Sequence, residues 1–108
     1  MIIVDTLRVT LILSTGFRDL FIKDLVEYIA DILEKKYGVL VFLEIDYGDK
    51  IDFPILVIED MEPIVIDRIP SINTLLNVFL AAIDAKNLKY LQTSVLGDVF
   101  SITSYDSI

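Results

Sequence analysis

Cysteine, histidine and tryptophan are all absent from the 108-residue sequence. Disulfide exchange requires a thiolate, so thiol–disulfide oxidoreductase activity is excluded. Without imidazole, the chain also lacks the side chain that most often transfers protons near neutral pH and most often binds metals. No disulfide can hold the fold together, so its stability must come from an apolar core, which a chain of this length is large enough to form.

Basic residues are also scarce, because nine Lys and Arg face seventeen Asp and Glu, for a net charge of −8. A field of this sign repels phosphate backbones and anionic lipid surfaces, so we expect neither nucleic acid nor membrane as a partner. No apolar run approaches the roughly 18 residues of a membrane span. The N-terminus lacks the basic and apolar regions of a signal peptide, so a cytoplasmic location is expected.

Apolar residues are abundant, at 55% of the chain with a mean hydropathy of +0.66. This share exceeds that of an ordinary soluble domain. Two explanations remain open, and both can hold. Either the core is covered on both faces of a sheet, or part of the surface pairs with another subunit.

The first half of the chain predicts a strand, a helix and a second strand. Residues 7–14 are nearly all apolar after Thr10, as expected of an inner strand covered on both faces. Residues 17–37 carry apolar side chains at the helical period, with Asp19–Lys23 and Asp31–Lys35 as possible ion pairs. Gly38 suits the helix end, and residues 39–47 form the next strand. Such a unit predicts parallel strands joined by a right-handed crossover.

The second half predicts strands at 53–58 and 64–69, joined by a turn, and then a helix over 72–85 with Ser71 as N-cap. This helix is apolar almost all round, so it packs under the rest of the chain or against a partner. We divide the single domain, residues 1–108, into an N-terminal extension (1–6), the folded body, and a tail (87–108) with a possible extra strand at 99–103.

Three groups of polar residues are candidates for a catalytic or metal site. Asp46, Asp49 and Asp52 lie three residues apart, but their spacing is not that of a calcium loop, so they are interpreted as solvated turn residues. Glu59 and Asp60 fall in the predicted turn, where exposure leaves carboxylates with ordinary acidity. Ser14 and Thr15 have no base beside them in sequence. We therefore predict no catalytic residues, no metal and no cofactor.

The order of elements, β-α-β-β-β-α, resembles the thioredoxin-like superfamily, which includes thioredoxins, glutaredoxins and selenoprotein-W-like proteins. The similarity is best over residues 53–83, where Phe-Pro-Ile-Leu-Val-Ile, an acidic turn, Pro-Ile-Val-Ile and Ile-Pro-Ser precede an apolar helix. Residues 7–37 also fit, so the resemblance spans about three-quarters of the chain from its first to its last matching element. It implies a mixed four-stranded sheet with helices packed on it. Ferredoxin-like βαββαβ is the alternative, with 99–103 as its last strand.

The chain departs from that family in two places. The turn after the first strand carries Cys-x-x-Cys in the family but reads Ser-Thr-Gly-Phe-Arg-Asp-Leu here, which makes this chain redox-inactive. Residues 48–52 replace the helix that thioredoxins place between strands two and three, a layout closer to the selenoprotein-W-like proteins. Pro54 stands where the family has a cis-proline, although a strand-starting proline is the competing interpretation.

The resemblance implies a domain that acts by binding, and not as an enzyme. Its groove would be formed by Thr15, Gly16 and Phe17 together with Phe53 and Pro54. The groove would take a peptide or another subunit, and the apolar helix between Leu75 and Ile83, or the tail, would form a homodimer. Two alternatives stay open: an enzyme that uses carboxylates or a metal, and a structural subunit of a larger complex.

Overall fold

The computed structural model describes the backbone of residues 5–106 and the side chains of residues 5–89 and 91. Its elements are β1 (Thr6–Leu13), α1 (Phe17–Tyr37), β2 (Leu40–Tyr47), β3 (Ile55–Ile58), β4 (Ile64–Val65) and α2 (Ile72–Asp106). The predicted α/β class, with a mixed four-stranded sheet and two helices, is confirmed. The last two strands are shorter than predicted, and the turns around them are correspondingly longer.

The sheet has the strand order β2-β1-β3-β4. β1 and β2 are parallel, as the strand–helix–strand pattern predicts, with Leu7 beside Val41 and Leu11 beside Ile45. β3 lies antiparallel to β1 on its other side, and β4 is antiparallel to β3. β1 is therefore a central strand, whereas β2 and β4 form the two edges.

Both helices pack against one face of the sheet and enclose a single apolar core. Alternate residues of β1 point into it and are buried, namely Leu7, Val9, Leu11 and Leu13. α1 contributes a stripe at the helical period and α2 contributes Leu75, Phe79, Ala82 and Ile83. These four α2 side chains are buried within the chain itself, so they are not available to a partner.

The other face of the sheet is not covered by the described part of the chain. Arg8 is exposed there and Thr10 and Ile12 are only partly buried, so the expectation that β1 is covered on both faces is wrong for these residues. On β2 the same face carries Phe42, Glu44 and Asp46, all exposed. The apolar run in β1 reflects strong β propensity at its end and not burial of both sides.

α1 has the bounds that its sequence pattern predicts. It ends at Gly38, whose φ of 67° is left-handed and whose presence there avoids the strain that a side chain would bring. The Asp31–Lys35 pair forms at 3.1 Å. The predicted Asp19–Lys23 ion pair does not form, because Asp19 is buried and Lys23 instead lies 3.9 Å from Glu27.

α2 begins as predicted, with the Ser71 hydroxyl accepting a hydrogen bond from the Thr74 backbone N–H at 3.1 Å. It does not stop near residue 85 but continues to Asp106, over 35 residues. Residues 99–103 are therefore helical, and the predicted extra strand, which the ferredoxin-like alternative requires, is wrong. β1 starts at Thr6, so the N-terminal extension is also one residue shorter than predicted.

The length of α2 sets the dimensions of the molecule. A helix of this size is about 52 Å long, and the longest extent of the protein is 63 Å. Among the α2 side chains that the structure describes, Ile83 is the last one buried in the core, and Lys86 contacts the sheet region beyond it. Within the described residues, neither α1 nor α2 combines the length and apolar character needed to cross a membrane.

Candidate functional site

The turn between β1 and α1 lies beside the segment that leads into β3. Arg18, in the first turn of α1, joins the two segments. One of its terminal nitrogens donates a hydrogen bond to the Asp52 carbonyl at 3.1 Å, and its guanidinium carbon lies 5.0 Å from the centre of the Phe53 ring. This distance is suited to a cation–π contact. The pairing of β1 with β3 brings the two halves of the predicted groove together, and the Arg18 side chain links them directly.

The buried side chain of Asp19 stabilises the same turn. Its carboxylate, in a residue only 2% exposed, accepts hydrogen bonds from the backbone N–H of Ser14 at 2.6 Å and from the Ser14 hydroxyl at 2.7 Å. It also sits in the first helical turn, where a negative charge is favoured by the helix dipole. Gly16 is the N-cap and offers no side chain of its own. Asp19 thus supplies the link between helix start and strand end that a capping side chain would otherwise provide.

The structure brings the five predicted groove residues to one end of the molecule, on the two segments that Arg18 joins. Thr15, Gly16 and Phe17 are exposed in the turn, Phe53 is marginally exposed, and Pro54 is buried just before β3. No cis peptide bond occurs in the described residues, so Pro54 is the strand-starting proline of the competing interpretation. Its carbonyl accepts a hydrogen bond from the Ile66 N–H at 2.8 Å, which ties the end of this segment to the β4 region.

The most exposed aromatic side chain at this end is Phe17, at 92%. Leu20 and Phe21 lie three and four residues further along α1, so the three side chains share one helix face. Both are also exposed. We refer to Phe17, Leu20, Phe21 and Phe53 together as the turn patch. Leu20 and Phe21 belong to the apolar period of α1, and they are exposed because this stripe is wider than the sheet covers.

Arg18 and Asp19 were missed as members of the site, although the sequence contains a signal for each. A basic residue at the first turn of a helix is unfavourable for the dipole, which indicates that it has a partner elsewhere. Asp19 was interpreted through its spacing to Lys23, but an acid in the first turn is equally placed to bond the residues before the helix. Only the position of the Asp52–Phe53 segment, which is set by the sheet order, decides the Arg18 contact.

A second polar cluster connects the end of β3 to α2. Glu59 has a φ of 53°, and its backbone N–H donates to the Arg8 carbonyl at 2.8 Å. Its carboxylate accepts a hydrogen bond from the Arg8 N–H and lies 3.2 Å from the Lys86 ammonium group, with 12% of the side chain exposed. Lys86 also donates to the Thr6 carbonyl at 3.0 Å. The expectation that Glu59 is merely a solvated turn residue is therefore wrong.

Asp60, the next residue, is fully exposed and bonds Lys89 at 2.6 Å. The hydrogen bond and the charge of Lys89 lower the pKa of Asp60 below its usual 3.8. Since the folded-state pKa is depressed, the pair contributes stability above about pH 3.8, and this contribution is lost as the pH falls through the folded-state pKa.

We expect Lys89→Met to raise the Asp60 pKa toward 3.8, as followed by NMR titration of its carboxyl carbon. An unchanged Asp60 pKa in this variant would contradict the assignment, and Lys35→Met, in a separate ion pair, is the control.

No group of three acidic side chains suited to a metal ion occurs among the residues that the structure describes. Asp46 is the next-to-last residue of β2 and lies on the open sheet face. Asp49 and Asp52 lie in the following turn, where the Asp52 carbonyl bonds Arg18. A shallow concavity of about 560 Å³ lies instead on the open face of the sheet. The side chains that line it include Arg8, Thr10, Phe42, Glu44, Val57 and Glu59.

No family model, curated protein or solved structure matches this chain. The candidate site therefore rests on its own geometry. That geometry consists of an apolar patch on a turn that is fixed by one buried carboxylate and one bridging arginine.

Proposed function

We propose that the protein is a redox-inactive, thioredoxin-like domain that binds a protein partner through the turn patch. The observation that carries this proposal is the 92% exposure of Phe17 at the start of α1, beside a turn that is held by contacts of Arg18 and Asp19. The sheet order β2-β1-β3-β4, with β1 and β2 parallel and β3 antiparallel, supports the thioredoxin-like arrangement.

An exposed aromatic side chain beside a fixed turn is well suited to binding. Aromatic residues dominate the energy of protein interfaces when they fill a pocket on the partner, because they bury a large area at a small cost in side-chain entropy. The Asp19–Ser14 and Arg18–Asp52 bonds hold the turn in place before a partner arrives. Less ordering is therefore needed on association, which favours affinity.

The chemistry of the turn also favours binding over catalysis. Ser14 is the one partly buried hydroxyl in it, and its oxygen donates to Asp19, which also accepts the Ser14 backbone N–H. The Ser14 hydroxyl is thus engaged within the turn and is not presented to solvent as an activated nucleophile. Because the chain carries a net charge of −8, we expect a partner segment that combines basic residues with apolar anchors.

The test is a selection of binding peptides from a random displayed library, followed by NMR mapping of each binder on the protein. We expect chemical-shift changes at Phe17, Phe21 and Phe53, and a loss of affinity of about tenfold or more in Phe17→Ala. Tyr37→Ala is the matched control, since Tyr37 is a half-exposed aromatic residue at the far end of the same helix. Binders that map elsewhere, or that bind Phe17→Ala as tightly as the natural chain, would count against the proposal.

A further inference from the structure

β2 is a long edge strand with no neighbour on its outer side among the described residues. It spans eight residues, Leu40–Tyr47, and pairs only with β1. Its core-facing side chains Val41, Leu43 and Ile45 are only partly buried, whereas their β1 neighbours Leu7, Val9 and Leu11 are almost completely buried. Among the described residues, the outer backbone edge of β2 and its row of apolar side chains therefore have no neighbouring strand.

The hydrogen-bonding direction of each β2 residue follows from its pairing with β1. The N–H groups of Leu40 and Gly48 donate to the carbonyls of Asp5 and Leu13, each at 2.8 Å, so even-numbered residues direct their backbone groups toward β1. In a strand, neighbouring residues direct these groups to opposite sides. The N–H and C=O groups of Val41, Leu43 and Ile45 consequently point outward, to the free edge.

We propose that a second copy of this chain pairs antiparallel with the β2 edge, with Leu43 directly opposite the partner's Leu43. Val41 then faces the partner's Ile45, and Ile45 faces the partner's Val41. These three pairs are made by outward-directed backbone groups and exchange about six hydrogen bonds. The two four-stranded sheets join into one of eight strands, and the half-covered apolar rows of the two copies become continuous.

The acidic residues of β2 select this register. With Leu43 on the symmetry axis, Glu44 faces the partner's Phe42 and Asp46 faces the partner's Leu40. If the symmetry axis were shifted by one residue toward the C-terminal end of β2, Glu44 would lie opposite the partner's Glu44. Like-charge repulsion disfavours this register. A shift toward the N-terminal end would leave fewer residues paired. The acids therefore do not prevent edge pairing altogether, but restrict it to one alignment.

Charge complementarity points to a second copy as the occupant, because a basic side chain stands where it can meet the partner's acid. Arg8 is the β1 neighbour of Phe42 on the open face, and it is exposed. In the proposed register the partner's Glu44 lies on the other side of Phe42, within reach of a long arginine side chain across the ring. The symmetry of the pair gives two such contacts. The net charge of −8 on each copy opposes association, but salt screens it beyond about 8 Å at physiological ionic strength.

A charge-reversal experiment tests the contact between copies. Arg8→Glu and Glu44→Arg each turn two attractions into two repulsions, so we expect either variant alone to weaken dimerisation by about tenfold or more at 0.15 M salt. In an equimolar mixture of the two variants, a mixed dimer regains both attractions, and dimerisation should return. Contacts inside one chain are unchanged by mixing, so recovery identifies contacts between chains. Sedimentation velocity measures all three samples.

A cross-linking experiment tests the register and does not depend on the first test. Because the chain has no cysteine, a single Leu43→Cys substitution places two thiols on the symmetry axis, with Cα atoms about 5.5 Å apart, which suits a disulfide. Ile45→Cys is the matched control, since it lies on the same strand and face but roughly 14 Å from its counterpart. We expect rapid oxidation to a covalent dimer for Leu43→Cys only.

Three results would overturn the proposal. The first is a chain that stays monomeric at about 1 mM. The second is a dimer that both charge variants leave unchanged. The third is binding of added strand-forming peptides to the β2 edge while the protein itself remains a monomer. None of these results bears on the turn patch, since Phe17 and Phe53 lie outside β2.

Discussion

Replacing Phe79 with alanine is expected to lower the free energy of unfolding by about 3–5 kcal/mol. Phe79 is the largest completely buried side chain among those described, and it packs from α2 into the core shared with β1 and α1. Its removal withdraws the aromatic ring from the apolar interior and leaves a cavity that the neighbouring strands can fill only in part. Urea unfolding followed by circular dichroism measures the loss.

Leu88→Ala is the control for this prediction, because Leu88 lies further along the same helix and is 56% exposed. A change within about 0.5 kcal/mol is expected there. The comparison separates core packing from helix propensity, since both substitutions introduce alanine into α2. A loss below about 1 kcal/mol in Phe79→Ala would mean that this part of α2 does not pack against the sheet.

The elements most accurately predicted from the sequence are those whose local signals agree. α1 has a helical apolar stripe and a glycine placed at its end, and its predicted and observed bounds are the same. The parallel pairing of β1 with β2 follows from the long helix between them, since a strand, a crossover helix and a strand can close in few ways. These parts of the fold need no knowledge of distant contacts.

The C-terminal half of α2 could not be predicted because its local signals conflict. Residues 99–103 read Val-Phe-Ser-Ile-Thr, a composition that favours a strand, yet they lie within the helix. No proline follows residue 85 to stop the helix, and Gly97 alone does not end it. A helix that is already established adds residues at low cost, which here outweighs β propensity.

At the candidate site, the sequence indicated the two segments but not the contacts between them. Thr15, Gly16, Phe17, Phe53 and Pro54 lie on the two segments that Arg18 joins, and their role as a groove stays a prediction. Arg18 and Asp19 were not included, because their first-turn positions indicate that they have partners but do not identify them as the Asp52 carbonyl and Ser14. Side chains that bond to the backbone of distant segments depend on tertiary structure, whereas an apolar period depends only on the element itself.

Replacing Asp19 with alanine is expected to lower the free energy of unfolding by about 2 kcal/mol. The buried carboxylate accepts two hydrogen bonds from Ser14, and its loss leaves a backbone N–H without its acceptor where β1 meets α1. Relief of the buried charge offsets part of this cost, so the net effect is smaller than that of Phe79→Ala. Thermal or urea unfolding provides the measurement.

Asp24→Ala, one exposed acid further along α1, is the matched control and should change stability by less than about 0.5 kcal/mol. The loss of stability in Asp19→Asn should fall between the losses in Asp19→Ala and Asp24→Ala, because the uncharged amide oxygen can still accept one of the Ser14 hydrogen bonds. Loss of the Asp19 carboxylate should also loosen the turn beside the turn patch. Amide exchange at Ser14, whose N–H bonds to Asp19, and at Leu20, whose N–H bonds to the Gly16 carbonyl, should therefore accelerate in Asp19→Ala and remain unchanged in Asp24→Ala. Equal exchange in both variants would mean that Asp19 does not fix the turn, and the preorganisation on which the binding proposal depends would then be absent.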